Sequence, residues 1–164
     1  MTKRTVCVAV LGLLAALPAV AAGQQAYGDG FAIGGALLPN GSPQLLGFTR
    51  IGENTGIELG LGFDIQDDDR GSEFKLEAGI SVKLYMSDRE QFQPFVGGRF
   101  GVKHYSWEAD HRDGEDTRFG TTAILGGEYF VTRKLSLEGG LELSMYFGSI
   151  ELATGTRLAA FFYL

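Results

Sequence analysis

Among residues that could carry chemistry, His104 and Ser106 stand two apart, in the run His104-Tyr105-Ser106. In an extended chain that spacing puts an imidazole and a hydroxyl on one face. A serine nucleophile needs such a base beside it and an acid to orient the base. A second set is ionic: Glu58, Asp64, Glu77, Glu128, Glu138 and Glu142 alternate through apolar runs with Lys75, Lys83, Arg99, Lys103 and Arg157. Arg50 is a further candidate base. Near-neutrality of such a set is what a closed ionic interior requires, because buried charges must be paired. Asp67, Asp69 and Gly71 faintly resemble a calcium loop, but the glycine comes one place early and the distal Glu is missing. The acidic segments Asp67-Glu73 and Glu108-Arg118 read instead as solvated connections. Neither a phosphate-binding glycine loop nor metal-ligand spacing is present, so no cofactor and no metal is expected.

The elements that must position these residues follow from strict alternation. Ile57, Leu59, Leu61, Phe63 and Ile65 share one face; Glu58, Gly60, Gly62, Asp64 and Gln66 share the other. Phe74 to Met86 and Leu135 to Phe147 repeat the pattern. Period two over such lengths means half-buried strands, since a helix would scatter Leu and Glu around its circumference. Five weaker runs, 31–38, 45–51, 92–107, 119–131 and 156–164, bring the expected number of strands to eight, with no helix. The faces of the first two strands stay undecided, because Gly, Ala and Leu occur on both sides. Longer connections alternate with short turns, as in an up-and-down barrel.

The N-terminus carries its own signal. Lys3 and Arg4 precede an apolar stretch, Val6 to Val20, that ends in Ala19-Val20-Ala21. That is the layout of a cleaved secretory signal peptide over residues 1–22, leaving a barrel domain over 23–164. Cys7 is the only cysteine and falls in that segment, so the mature chain is expected to lack thiol chemistry. Mean hydropathy is +0.04 and the net charge −6; without Lys3 and Arg4 it becomes −8, which argues against nucleic acid as a partner.

Alternation alone leaves a soluble, ligand-enclosing barrel open as an alternative. Four features favour a membrane barrel. Glycines crowd the polar face, charges on that face nearly balance, and apolar positions persist for the span that a tilted transmembrane strand needs. The chain also stops at the end of a strand, which closure onto the first strand would pair. Aromatics near run ends suggest two interfacial girdles: Phe74, Trp107, Phe119 and Phe147 at one level, and Phe92, Phe95, Tyr129, Phe130, Phe162 and Tyr163 at the other.

With this strand number, loop parity and the closing Leu158, Ala160, Phe162, Leu164 pattern, the sequence resembles the small eight-stranded outer-membrane β-barrel family, which includes the OmpA membrane domain, OmpX and the opacity proteins. The resemblance implies an all-β, antiparallel up-and-down transmembrane barrel with a polar, side-chain-filled interior. It further implies location in the cell outer membrane of a Gram-negative-type bacterium, contact with lipid and lipopolysaccharide, and recognition by the barrel-assembly machinery. The family usually ends in Phe, where this chain has Leu164. The expected role is non-enzymatic, structural or surface-interacting through the acidic connections. The His104–Ser106 pair is similar to that of outer-membrane lipid A deacylases and makes a hydrolase one alternative; a narrow, porin-like channel is another. In that enzyme family Asn follows the serine, where Trp107 stands here, and Glu115 and Asp116 are expected in a loop.

Overall fold

In the computed structural model the described residues are 28, 30–37, 43–68, 71–87, 90–109, 112–147 and 151–164. The expected signal peptide lies outside them. Every regular element among them is a strand: β1 (Phe31–Leu37), β2 (Pro43–Ile51), β3 (Thr55–Asp68), β4 (Gly71–Tyr85), β5 (Phe92–Ala109), β6 (Arg112–Phe130), β7 (Leu135–Phe147) and β8 (Glu151–Tyr163). Each pairs antiparallel with its neighbours in sequence order, and β1 pairs with β8 to close the barrel. Closure removes the unpaired edges that neither lipid nor a core tolerates.

The register is unbroken along every pair, so alternation assigns each side chain to the wall or the interior. Leu59, Leu61, Leu125, Leu141, Leu143 and Leu158 point outward and are exposed. Outward leucines on every side are the reverse of a soluble barrel, where the apolar face would turn inward. The two undecided strands resolve the same way. Ala32 and Ala36 of β1 and Gln44, Leu46 and Phe48 of β2 are buried, while Phe31, Leu37, Leu45 and Ile51 face outward.

Three connections lie at the end that carries Phe31 and Tyr163: Ile51 to Thr55, Tyr85 to Phe92 and Phe130 to Leu135. We call this the turn end. Gly52 supplies the positive φ, +76°, that the first of these turns needs. The opposite, hairpin end departs from expectation. The acidic segments 67–73 and 108–118 have the composition of connections, yet β3 runs to Asp68 and β4 starts at Gly71, while β5 runs to Ala109 and β6 starts at Arg112. Apolar alternation stops there, but the ladder does not. Above a membrane both faces of a hairpin meet water, so charge is no obstacle to pairing and mutual backbone bonds keep the strands together.

The wall is therefore uneven. Among the described residues, β2 pairs with β3 as far as Gln44↔Gly62, and β7 with β6 as far as Phe119↔Phe147. Beyond those points β3–β6 continue as a four-stranded sheet, about 20 Å along the strand for six residues.

Candidate functional site

The interior divides into three levels. At the turn end, Phe48, Tyr85, Phe95, Phe130, Phe161 and Tyr163 are buried inside the barrel. Their rings meet edge-on or tilted, with centroids 5.5 Å apart for Phe130–Tyr163 and 5.6 Å for Phe48–Phe161 and Tyr85–Phe95. This aromatic plug corrects the expected girdle: Phe95, Phe130 and Tyr163 face inward and do not touch lipid. The signal was already in the spacing, since Phe95 shares parity with Arg99, Phe130 with Glu128, and Phe161 and Tyr163 with Arg157. Phe92 and Tyr129 do face outward at that level.

Arg50 and Glu128 are the charged groups of this first level. Arg50 stacks over Tyr85 at 4.1 Å and donates to Gln93 Oε1. Glu128 accepts hydrogen bonds from the hydroxyls of Tyr85 (2.9 Å), Tyr163 (2.7 Å) and Ser136. Glu138 stands directly across the β6–β7 ladder from Glu128. Two carboxylates at such a position repel unless each has its own donors, and they do: hydroxyls serve Glu128, cations serve Glu138.

The second level is ionic. Lys83 Nζ and Arg157 Nη2 each lie 2.7 Å from Glu58 Oε2. Lys83 also pairs with Glu138, and Arg157 Nε lies 3.5 Å from Glu138 Oε1. Arg99 spans Glu58 and Glu142, at 3.5 Å from each, and donates to Ser81 Oγ at 3.0 Å. Three acids and three bases thus close a neutral layer, with Lys83, Glu58 and Arg157 fully buried. Lys83 rests on the plug below, with its Nζ 4.9 Å from the Phe161 ring and 5.1 Å from that of Phe95. With the Phe48 ring 5.3 Å away as well, the ammonium lies over three aromatic faces and between two carboxylates, held from both sides.

The third level opens to solvent. Lys103 pairs with Glu77 at 3.2 Å and lies over Tyr146, and Lys75 pairs with Glu73 at 3.3 Å. Asp64 stands opposite Lys75 across β3–β4. Glycines on this inward face make room for long side chains: a β-carbon on Gly79 would come within 3.3 Å of Arg99, and one on Gly120 within 2.7 Å of the Tyr146 ring.

The other candidate lies on the outer wall. His104 and Ser106 face outward, flanked on β4 by Leu76 and Phe74. The β5–β6 register sets His104 opposite Thr117 and Ser106 opposite Glu115, with His104 Nδ1 2.9 Å from Thr117 Oγ1. This corrects the expectation that Glu115 belongs to a loop: it is a strand residue on the same face as Ser106. Asp116 falls on the inner face, where it accepts from Arg118 Nε at 2.6 Å. Trp107, expected in the outer girdle, also points inward, across Gly114 of β6. Among the described residues no His, Cys, Asp and Glu cluster has metal-site geometry.

No protein-family model matches the chain, and no curated protein sequence matches it. Solved structures do. The crystal structure of Neisserial surface protein A (NspA) shares 16% identity at a TM-score of 0.56, covering 82% of this chain and 93% of that one. The N-terminal β-barrel domain of Pseudomonas aeruginosa OprF shares 13% at 0.59, covering 84% and 98%. A major outer membrane protein from Thermus thermophilus shares 15% at 0.56, covering 80% and 97%. At these identities the likeness establishes a common fold, the small eight-stranded barrel of outer-membrane proteins.

Proposed function

We propose that this chain, built on the fold of the small outer-membrane barrels, is a non-conducting scaffold of the outer membrane. On this reading it supports envelope integrity or surface contact through the tall β3–β6 hairpins, with lipopolysaccharide around its wall. The observation that carries the reading is the inversion of the fold's two faces: leucines exposed around the outside, paired charges and packed aromatics within. Only a hydrocarbon surrounding makes that arrangement favourable, because exposed apolar wall costs about 25 cal/mol per Å² in water. The neutral ionic layer sits directly on the aromatic plug, so two buried levels stand in series along the lumen. Export through a signal peptide and insertion by the barrel-assembly machinery fit the same reading.

The test is refolding of the mature chain from urea with and without detergent micelles, followed by far-ultraviolet circular dichroism and unboiled gel mobility. β-structure and a boiling-sensitive mobility shift that need detergent support the membrane barrel. A soluble monomer folding in buffer alone would overturn it. In planar bilayers the inserted chain should show no discrete conductance steps; steady single-channel steps would favour the narrow-channel alternative.

A second reading is favoured by one observation: Glu115 stands across from Ser106, on the face it shares with His104. An acid, a base and a hydroxyl on one outward surface are the ingredients of ester hydrolysis at lipid headgroup level. The imidazole contacts Thr117, so acylation would require it to turn toward Ser106. Mass spectrometry of lipid A from cells expressing the wild type or Ser106→Ala decides: loss of an acyl chain that depends on Ser106 establishes the hydrolase, and identical spectra remove it.

A further inference from the structure

Trp107 lies in an environment that neither the membrane wall nor the ionic interior explains. Its parity on β5 is that of Arg99 and Lys103, so it faces inward, above the barrel mouth. A β-carbon on Gly114 would collide with the indole at its Cζ2, so the ring packs over the β6 backbone at a position without a side chain. Trp107 is 40% exposed. An indole seated against backbone and left partly open to water is a poor use of a large apolar side chain unless something covers it.

What surrounds it indicates the chemistry of the cover. Glu73 stands beside Trp107 across the β4–β5 ladder and pairs with Lys75. One step down the sheet, Arg118 lies 5.8 Å from the Tyr105 ring and pairs with Asp116. Carboxylates and cations thus alternate around two aromatic faces, with neither sign in command. A polyanion would be repelled by Glu73 and Asp116, and a greasy chain would strand all four charges. A sugar ring suits the set: its C–H face stacks on an indole, and its hydroxyls both donate to carboxylates and accept from ammonium and guanidinium groups.

We propose that the inner face of the projecting β3–β6 sheet binds saccharide, with Trp107 as the stacking platform, and that its occupant is the sugar core of the outer-leaflet glycolipid. The uneven wall assigns the source. β1 and β2 end at Leu37 and Pro43, and β7 and β8 at Phe147 and Glu151, with Leu37 and Phe147 still facing outward as wall residues. Among the described residues the strands on that side thus end near the level of the hydrocarbon, and the projecting sheet rises beyond them into the headgroup layer. The proposal rests on the membrane reading above.

Trp107 is the only tryptophan, so intrinsic fluorescence reports this surface alone. The mature chain, refolded in detergent micelles, is titrated with core oligosaccharide freed of lipid A. A saturable change in emission is expected, with a matching calorimetric heat. Trp107→Ala should weaken the binding read by calorimetry by roughly tenfold or more, as loss of a stacking partner does for a nucleic-acid base. Gly114→Val, which displaces the indole, should do the same while the boiling-sensitive mobility shift persists in both variants. No saturable signal from a barrel that shows that shift overturns the proposal and leaves the membrane reading standing. Binding of heparin oligosaccharide or maltopentaose in preference to the core overturns the assigned occupant. Absence of detergent-dependent β-structure in the wild type removes the membrane reading and this proposal together.

Discussion

The ammonium of Lys83 lies 2.7 Å from Glu58 Oε2, and both groups are fully buried in the centre of the barrel. Either charge alone would be costly to bury there, since desolvation of an isolated ion costs several kcal/mol. Arg157 on the same oxygen and Glu138 on the same lysine complete a closed circuit.

Breaking that circuit at one point should be expensive. Glu58→Gln removes the negative charge that Lys83 and Arg157 share and is expected to cost about 3–5 kcal/mol. Urea titration of the folded barrel in lipid vesicles reads the loss. A double-mutant cycle with Arg157→Met should show strong coupling between the two sites. Independent, additive losses would mean that the circuit does not act as a unit.

The hydroxyl cage around Glu128 is a separate device and should respond separately. Tyr163→Phe removes one donor, a bond of 2.7 Å, without changing the ring's packing. A loss of about 1–3 kcal/mol is expected in the same titration. No change at all would show that Tyr85 and Ser136 suffice.

Gly126 tests the fit of the plug against the wall. A β-carbon there would come within 2.7 Å of the Gly139 carbonyl oxygen and 2.8 Å of the Phe95 ring. The ring could shift, but the ladder oxygen has little freedom. Gly126→Ala should therefore destabilise the barrel by about 1–3 kcal/mol, the usual range for overpacking. An unchanged urea midpoint would contradict the close packing described for this level.

Lipid depth can be read along β7. Leu141 lies at the middle of the strand and is 61% exposed, whereas Leu135 lies at the turn end. Leu141→Arg should cost about 2–4 kcal/mol in a bilayer and Leu135→Arg about 0–1. Equal penalties would place the membrane differently on the wall.

Much of this was legible in the sequence, for a physical reason. Where a strand borders hydrocarbon on one side and a charged lumen on the other, each residue must declare its face, and Leu135 to Phe147 gives the strand without error. That constraint weakens in two places. Above the membrane both faces meet water, so the alternation that marks β5 up to Val102 fades while the ladder runs on to Ala109. At the turn end the lumen is apolar, so Phe95 and Phe130 on the inner face look like lipid-facing residues by type. Parity would have separated them, since residue type carries no information once both sides are greasy. The opposition of Glu115 to Ser106 had no local signature, because it depends on the β5–β6 register.

Among the described residues the ladder that closes the barrel is the shortest. β1 meets β8 through six residue pairs, Ala32↔Tyr163 to Leu37↔Leu158, while β5 and β6 share eighteen. Two of the inward residues of β1, Ala32 and Ala36, offer only methyl groups to the lumen. Resistance to being pulled apart is therefore distributed unequally around the circumference. Long hairpins whose register is set by neighbouring sequence can zip first, and the two chain ends meet last. The same seam is where thermal opening costs the fewest backbone bonds, so amide protons along β1 should be the first to exchange with solvent, long before those in the middle of β5.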